Sequence, residues 1–444
     1  MKTDRRSFLK QAGVLAAAPF ILPSRIRAAE HSPNERISMG FIGVGKQGRY
    51  LLENFLHQKV VRVLAVCDVD TTRRTAAQKR VNEYYSAHPE SGSPDCWAYN
   101  DFRELIARDD IDAVCIATPD HWHAIPVIEA ARARMDIYCE KPLTHNIHEA
   151  ISIMEAVEAN RRVLQTGSMQ RSMQEFRVAC ELVRNGLIGT IDRVECSFGP
   201  PGRPCDLPEE KMEPGLDWDM WVGPAPMRPY NSVLSPRGVH DHFPDWRAYK
   251  EFGGGMVCDW GAHHLDIAQW GLDKDDSGPD AVHPPDDPEA TSGGVLHYGR
   301  DIRVIHTSGF GVHFFGSGGE VKVNRGRFEF ILDGKKVAGF TKREDGGSLS
   351  STIIHVEKEY LRDAKVKLYR SGNHVQDFLE CVETRNRPIT NEEVGGRSAI
   401  CCHLLNQAYY HHAAIEWKPK RMKFRGDSGN EAWLTRDYRA PWSV

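Results

Sequence analysis

The chain has 444 residues, 27% of them charged and 41% hydrophobic, with a formal net charge of -4. Its 38 glycines and 25 prolines follow no period, which excludes a collagen-like or low-complexity chain. The length suffices for two or three globular units with real cores. With no basic excess to displace counterions, nucleic acid is excluded as a main partner.

From the N-terminus, Asp4-Arg5-Arg6-Ser7-Phe8-Leu9-Lys10 precedes an apolar run over 11–22 and a small-residue exit near Ala28 and Ala29. These features describe a twin-arginine export signal over 1–30 and predict a periplasmic protein. The run falls short of the roughly 20 residues that span a bilayer, so no stable membrane span is expected. The eleven cysteines are odd in number and show no small-domain spacing. They read as mostly free, structural thiols.

The β-run over 37–42 leads into Gly43-Val44-Gly45-Lys46-Gln47-Gly48, then a helical pattern, then a second β-run ending at Asp68. A lone G-x-G-x-x-G is weak, but here it has its strand–turn–helix–strand–acid context. The glycines allow a tight turn and close approach of the backbone to a pyrophosphate, with the helix N-terminus facing the phosphates. Asp68 is placed to accept bonds from an adenosine ribose and to repel a 2′-phosphate, which favours NAD. Arg73 and Arg74 lie near enough to leave NADP open. Further alternation brings Thr118-Pro119, with His123, and Glu140-Lys141-Pro142 to strand ends, where a nicotinamide would lie.

These motifs, together with Gly253-Gly254-Gly255-Met256-Val257-Cys258-Asp259-Trp260-Gly261-Ala262-His263-His264-Leu265-Asp266 and the segment 378–395, resemble the Gfo/Idh/MocA family of NAD(P)-dependent sugar oxidoreductases. The likeness runs over roughly 35–425. It implies catalytic roles for Lys141, Asp259 and His263. It also implies a cofactor site of Gly43, Val44, Gly45, Lys46, Gln47, Gly48, Asp68, Thr118, Pro119, His123, Glu140 and Lys141. The chemistry agrees, since oxidising a carbinol needs a proton acceptor and a donor at the reacting oxygen, tasks suited to His and Lys. Asp259 and His263 stand four apart, on one face of a helix. Its carboxylate either orients the imidazole or touches the substrate, while Asp266 reads as structural.

His121 and His123, two apart with no third ligand, are weak as a metal pair, and no metal site is expected. Beyond 165 the pattern shifts to strands following strands, which predicts a mostly antiparallel sheet with one open face for a homo-oligomer, a dimer or tetramer. Gln170 and Arg171 follow a strand and read as substrate contacts, as does Trp246 within the Pro-, Gly- and Trp-rich segment 199–252. That segment reads either as a lid on the pocket or as a loop pinned by its tryptophans.

The expected fold is α/β. It comprises a Rossmann dinucleotide-binding domain over 35–163, an α+β domain over 164–425 with a large, mostly antiparallel open sheet, and a tail over 426–444. The expected function is NAD(P)-dependent oxidation of a secondary hydroxyl of a sugar, glycoside or polyol. An exported enzyme has no NAD pool, so a tightly retained cofactor is expected. The alternatives are an NAD-dependent glycosidase acting through transient oxidation at C3, and a non-catalytic nucleotide- or sugar-binding protein.

Overall fold

Uninterrupted apolar runs in the first part of the chain become strands buried on both faces, and alternating runs in the second become strands buried on one. The computed structural model describes residues 36–444 apart from positions 92 and 94, so the export signal read over 1–30 lies outside the described residues. Among the described residues, no helix is long and apolar enough to cross a membrane.

The first domain alternates β1 (Ile37–Ile42), α1 (Lys46–Leu56), β2 (Val61–Cys67), α2 (Thr71–Ala87), β3 (Trp97–Tyr99), α3 (Phe102–Ile106), β4 (Ala113–Ile116), α4 (Ala124–Arg132), β5 (Asp136–Cys139), α5 (Ile147–Asn160) and β6 (Leu164–Thr166). All six strands are parallel, in the order β3-β2-β1-β4-β5-β6. Every carboxyl end therefore opens on one edge, where ligands of such sheets bind. Asp70 caps α2 and Asn146 caps α5 through their side chains, whereas Gly45 leaves α1 uncapped.

The expected boundary at 163 falls one residue before β6, which still belongs to this sheet. Its apolar Leu164 completes the core with Ile137 and Val157.

The second domain contains α6 (Gln174–Arg184), β7 (Ile191–Ser197), α7 (Trp218–Val222), α8 (Gly255–Asp259), α9 (Gly261–Gly271), β8 (Ala281–His283), β9 (Val295–Tyr298), β10 (Ile302–Thr307), β11 (Val312–Gly316), β12 (Gly319–Asn324), β13 (Arg327–Leu332), β14 (Lys335–Phe340), α10 (Leu349–Tyr360), α11 (His374–Thr384), α12 (Glu392–His411), β15 (Ile415–Lys418) and β16 (Lys423–Phe424). Its strands form one ten-stranded sheet, antiparallel except where β7 and β10 run parallel. Val194, Cys196, Phe314, Val321 and Phe330 face the core shared with α6, α9 and α12. Arg193, Glu195, Lys322 and Glu329 occupy the alternate positions. All eleven cysteines are free and ten are buried.

Two returns of the chain tie the domains together. In α11, Phe378 packs edge-on against Phe55 and Tyr138 of the first domain. The C-terminal tail lays Trp442 against Trp122, 4.8 Å between ring centres, while Arg436 and Tyr438 reach the buried Glu149 at 2.9 and 2.8 Å. Trp442→Ala is expected to cost about 3 kcal/mol of stability, the usual loss for a large buried aromatic. Denaturant unfolding of the holoprotein measures it; an unchanged midpoint would show that the tail merely rests on the surface.

The segment 199–252 is no structureless lid. It builds its own cluster from Trp218, Trp221, Tyr230, Leu234, Trp246 and Phe252, with Trp218 and Trp221 stacked at 4.6 Å. It also docks on the first domain: Thr71 N donates to Gly215 O at 2.9 Å, Asp217 N to Val69 O at 2.9 Å, and Arg73 holds Ser235 and the carbonyls of Pro236 and Gly238. The tryptophans pin the segment and in doing so fold it into a roof that lines the cleft over the strand ends.

Candidate active site

Under that roof lies a cleft of about 450 Å3 that runs from the glycine turn to α9. At one end, Gly43 adopts φ +84° and donates its N–H to Cys67 O at 2.8 Å. A β-carbon on Gly43 would stand 2.7 Å from the backbone of Thr118, and one on Gly48 would stand 2.0 Å from Gly43 O. A β-carbon on Gly45 would meet nothing within 4 Å. The first N–H groups of the uncapped α1 thus open into free space beside a positive dipole end, a fit for a pyrophosphate.

Asp68 lines this end, but its carboxylate also braces the turn. Oδ2 accepts from Val44 N and Oδ1 from Asp70 N, each at 2.9 Å. Each oxygen keeps capacity for a further bond. Burial raises the Asp68 pKa, against the pull of Arg73. Arg73 is engaged by the roof, and Arg74 by Asp68 O and Asn100. Lys46 lies 4.2 Å over the Phe243 ring.

Thr118, Pro119, Glu140 and Lys141 meet in mid-cleft. Glu140 is held by Gln47 Nε2 at 2.9 Å, which links the glycine turn to β5. His123 stands between two loops, Nδ1 2.7 Å from Pro142 O and Nε2 2.9 Å from Thr118 O. Burial lowers its pKa to about 4, so a neutral ring donates to one carbonyl at a time and buckles the strand ends together. His121 faces Trp221 O at 3.1 Å instead.

Lys141 Nζ donates to Asp259 Oδ1 at 2.6 Å and to Asp259 O at 2.8 Å. Arg247, which sequence reasoning missed, approaches the same carboxylate at 3.5 Å and stacks on Trp246 at 4.2 Å. Burial raises the Asp259 carboxyl, but Lys141 and Arg247 outweigh it and hold it below its ordinary value. The helix expected through Asp259 and His263 breaks at Trp260 into α8 and α9, yet both side chains still line the cleft. The carboxylate orients Lys141 rather than the imidazole.

His263 Nε2 accepts from Arg325 Nη2 at 2.9 Å, while its buried Nδ1 has no partner among the described residues. A guanidinium can only donate, so the neutral ring carries its proton on Nδ1 and its lone pair on Nε2. Burial, then the charges of Lys141 and Arg325, push His263 well below the usual histidine range. The neighbouring His264 is turned away, Nδ1 2.6 Å from Ser197 O.

Two expected substrate contacts are displaced. After β6 the chain makes a tight turn over Met169–Ser172 that presents Met169 to the cleft. Gln170 is fully buried away from the cleft, its amide atoms without partners among the described residues. Arg171 is buried in an ion pair with Asp266 and Asp275, at 2.8 and 2.7 Å, because a guanidinium on that side of the turn meets the carboxylate on α9. Trp246 does line the cleft, and Asp266 is structural as read. No motif marks Arg247 or Arg325. Arg247 lies in the short 3-10 turn Asp245–Ala248 and Arg325 at a hairpin tip, and each reaches the cleft only through long-range packing.

The first domain, residues 37–168, matches the family described as "Oxidoreductase family, NAD-binding Rossmann fold", and 201–444 match "Oxidoreductase family, C-terminal alpha/beta domain". A glycosyl hydrolase family 109 protein of Shewanella sp. (strain ANA-3) is 31% identical over 211 residues, 44% of this chain and 46% of that protein. The chain thus spans about half the length of such curated relatives. Inositol 2-dehydrogenase of Rubrobacter xylanophilus is 35% identical over 35% of this chain and 42% of its own. The WlbA dehydrogenase from Bordetella pertussis, solved with NADH and UDP-GlcNAcA, shares the fold at a TM-score of 0.59 and 16% identity, covering 87% of this chain and 99% of that one. With its glycine turn, its Glu140-Lys141-Pro142 strand end and both domain matches, the chain belongs to the Gfo/Idh/MocA oxidoreductase family and carries an NAD-binding Rossmann domain.

Proposed function

We propose that the protein oxidises a secondary hydroxyl of a sugar, glycoside or polyol, with NAD retained through turnover, in the periplasm after twin-arginine export. The observation that carries this reading is the convergence of Lys141, Asp259 and His263 at the strand ends beyond the glycine turn. Bound NAD supplies the hydride acceptor. Lys141, fixed by Asp259, donates to the carbinol oxygen and favours its alkoxide form. His263 takes the hydroxyl proton on Nε2, the nitrogen that holds the lone pair. The roof over 199–252 lines the cleft above the strand ends, which supports retention of the dinucleotide.

The test is to express the protein with its leader, recover it from the periplasm, denature it, and identify any released nucleotide by mass. Stoichiometric NAD is expected, and sugar oxidation should then proceed without added cofactor. An empty protein that binds neither NAD nor NADP would sink the proposal.

A pH profile probes the base. Below its pKa the imidazole is protonated and has no lone pair to offer. Because that pKa is pushed well below 6.5, kcat/KM is expected to stay level through neutral pH and to fall only well on the acid side of 6.5. An acid limb centred at or above 6.5 would count against His263 as proton acceptor.

The similarity to a glycosyl hydrolase family 109 protein supports a second reading, an NAD-dependent glycosidase acting through transient oxidation at C3. Glycoside cleavage without net NADH would select it. Glu140-Lys141-Pro142 favours the dehydrogenase.

A further inference from the structure

The reacting end of the cleft gathers three cationic side chains, Lys141, Arg247 and Arg325. Lys141 and Arg247 share one carboxylate, that of Asp259. Arg325 has no carboxylate within salt-bridge distance among the described residues, and its only side-chain bond there is the one to neutral His263. Of the five N–H donors of a guanidinium, most are therefore unspent. Of the other acids lining the cleft, Glu140 is taken up by Gln47 and by Lys141 N.

Arg325 is also held in place. It sits at the tip of the β12–β13 hairpin, where Gly326 takes φ +72° and its N–H donates to Glu175 Oε1 of α6 at 3.1 Å. Arg325 N donates to the Asn324 side chain at 2.8 Å, and the guanidinium lies 5.0 Å over the Trp260 ring. The residue is exposed toward the cleft it lines, with an aromatic face beneath it.

We propose that Arg325 is a substrate-recognition residue, and that the sugar taken by this site carries a carboxylate, as a uronic acid or uronide does. A planar fork with free N–H donors matches a carboxylate, and the Trp260 ring beneath it steadies the fork at the cleft. Recognition has a second effect. As the guanidinium turns to the carboxylate it leaves His263 Nε2, freeing the lone pair for the hydroxyl proton. The proposal rests on the oxidoreductase reading for its chemistry, but not for its binding.

The experiment compares holoenzyme with Arg325→Gln and Arg325→Lys on methyl glycosides paired as uronide and hexoside in the gluco, galacto and manno series. In at least one pair the wild type is expected to favour the uronide in kcat/KM by about tenfold or more. Arg325→Gln should erase at least tenfold of that ratio, mainly through KM, and Arg325→Lys should restore part of it. A preference for the hexoside in every pair, or a ratio indifferent to Arg325→Gln, would overturn the proposal while leaving sugar oxidation intact. If no glycoside is turned over, thermal shift of the holoenzyme decides. Stabilisation by uronides alone, lost in Arg325→Gln, would keep the recognition role and fail the oxidoreductase reading; no uronide shift would overturn the recognition role.

Discussion

Lys141→Ala is expected to lower turnover about 100- to 1000-fold while the dinucleotide stays bound, the range seen when one preorganised donor to a developing oxyanion is removed. Among the described residues, the ammonium is the one cation that bonds the Asp259 carboxylate within 3 Å, and the next, Arg247, stands at 3.5 Å. Its loss leaves Asp259, with 16% of its side chain exposed, facing Arg247 alone at 3.5 Å. The Asp259 pKa should then rise, because the larger of the two charges that hold it down has gone. Single-turnover kinetics, with nucleotide content measured on the same sample, check both halves. Near-normal turnover would remove Lys141 from the chemistry, and loss of nucleotide would recast it as a cofactor ligand.

Gly48→Ala should damage the dinucleotide site from within the fold. The added carbon would overlap Gly43 O at 2.0 Å, and Gly43 is tied in place by its N–H bond to Cys67 O. The helix must then lift off the strand, at about 3 kcal/mol of stability, with the nucleotide lost on purification. Gly45→Ala is the contrast. Its β-carbon meets no protein atom, so the protein should keep its melting temperature but hold the dinucleotide more weakly, because the methyl projects into the phosphate cradle. Equal melting temperatures for the two variants would show that the turn is looser than drawn.

Much of this was legible in the residues. The glycine turn, Asp68 at the end of β2, and the motifs at the ends of β4 and β5 are local features, and the parallel sheet brings them to one edge by topology alone. His263 was separable from His264 because spacing from Asp259 survives even the break at Trp260. The same local logic failed for Gln170 and Arg171, where a short turn after β6 rotates the side chains by an amount no periodicity encodes. Segment 199–252 carried too many aromatic residues for a solvated loop, but nothing in their order tells which ring pins and which ring lines.

The sequence by itself determined the α/β plan and the dinucleotide site, because each follows from neighbours within a few residues or from the regular crossover of β-α-β units, and family resemblance singled out Lys141, Asp259 and His263 as the candidate catalytic group. Only the tertiary structure decided that Asp259 serves Lys141, that Arg247 completes the charge cluster, and that Arg325 reaches His263 across 62 residues. Those pairings depend on where a roof segment and a hairpin tip come to rest. Packing of whole domains sets that position, and contacts so distant in the chain leave no periodic trace in it.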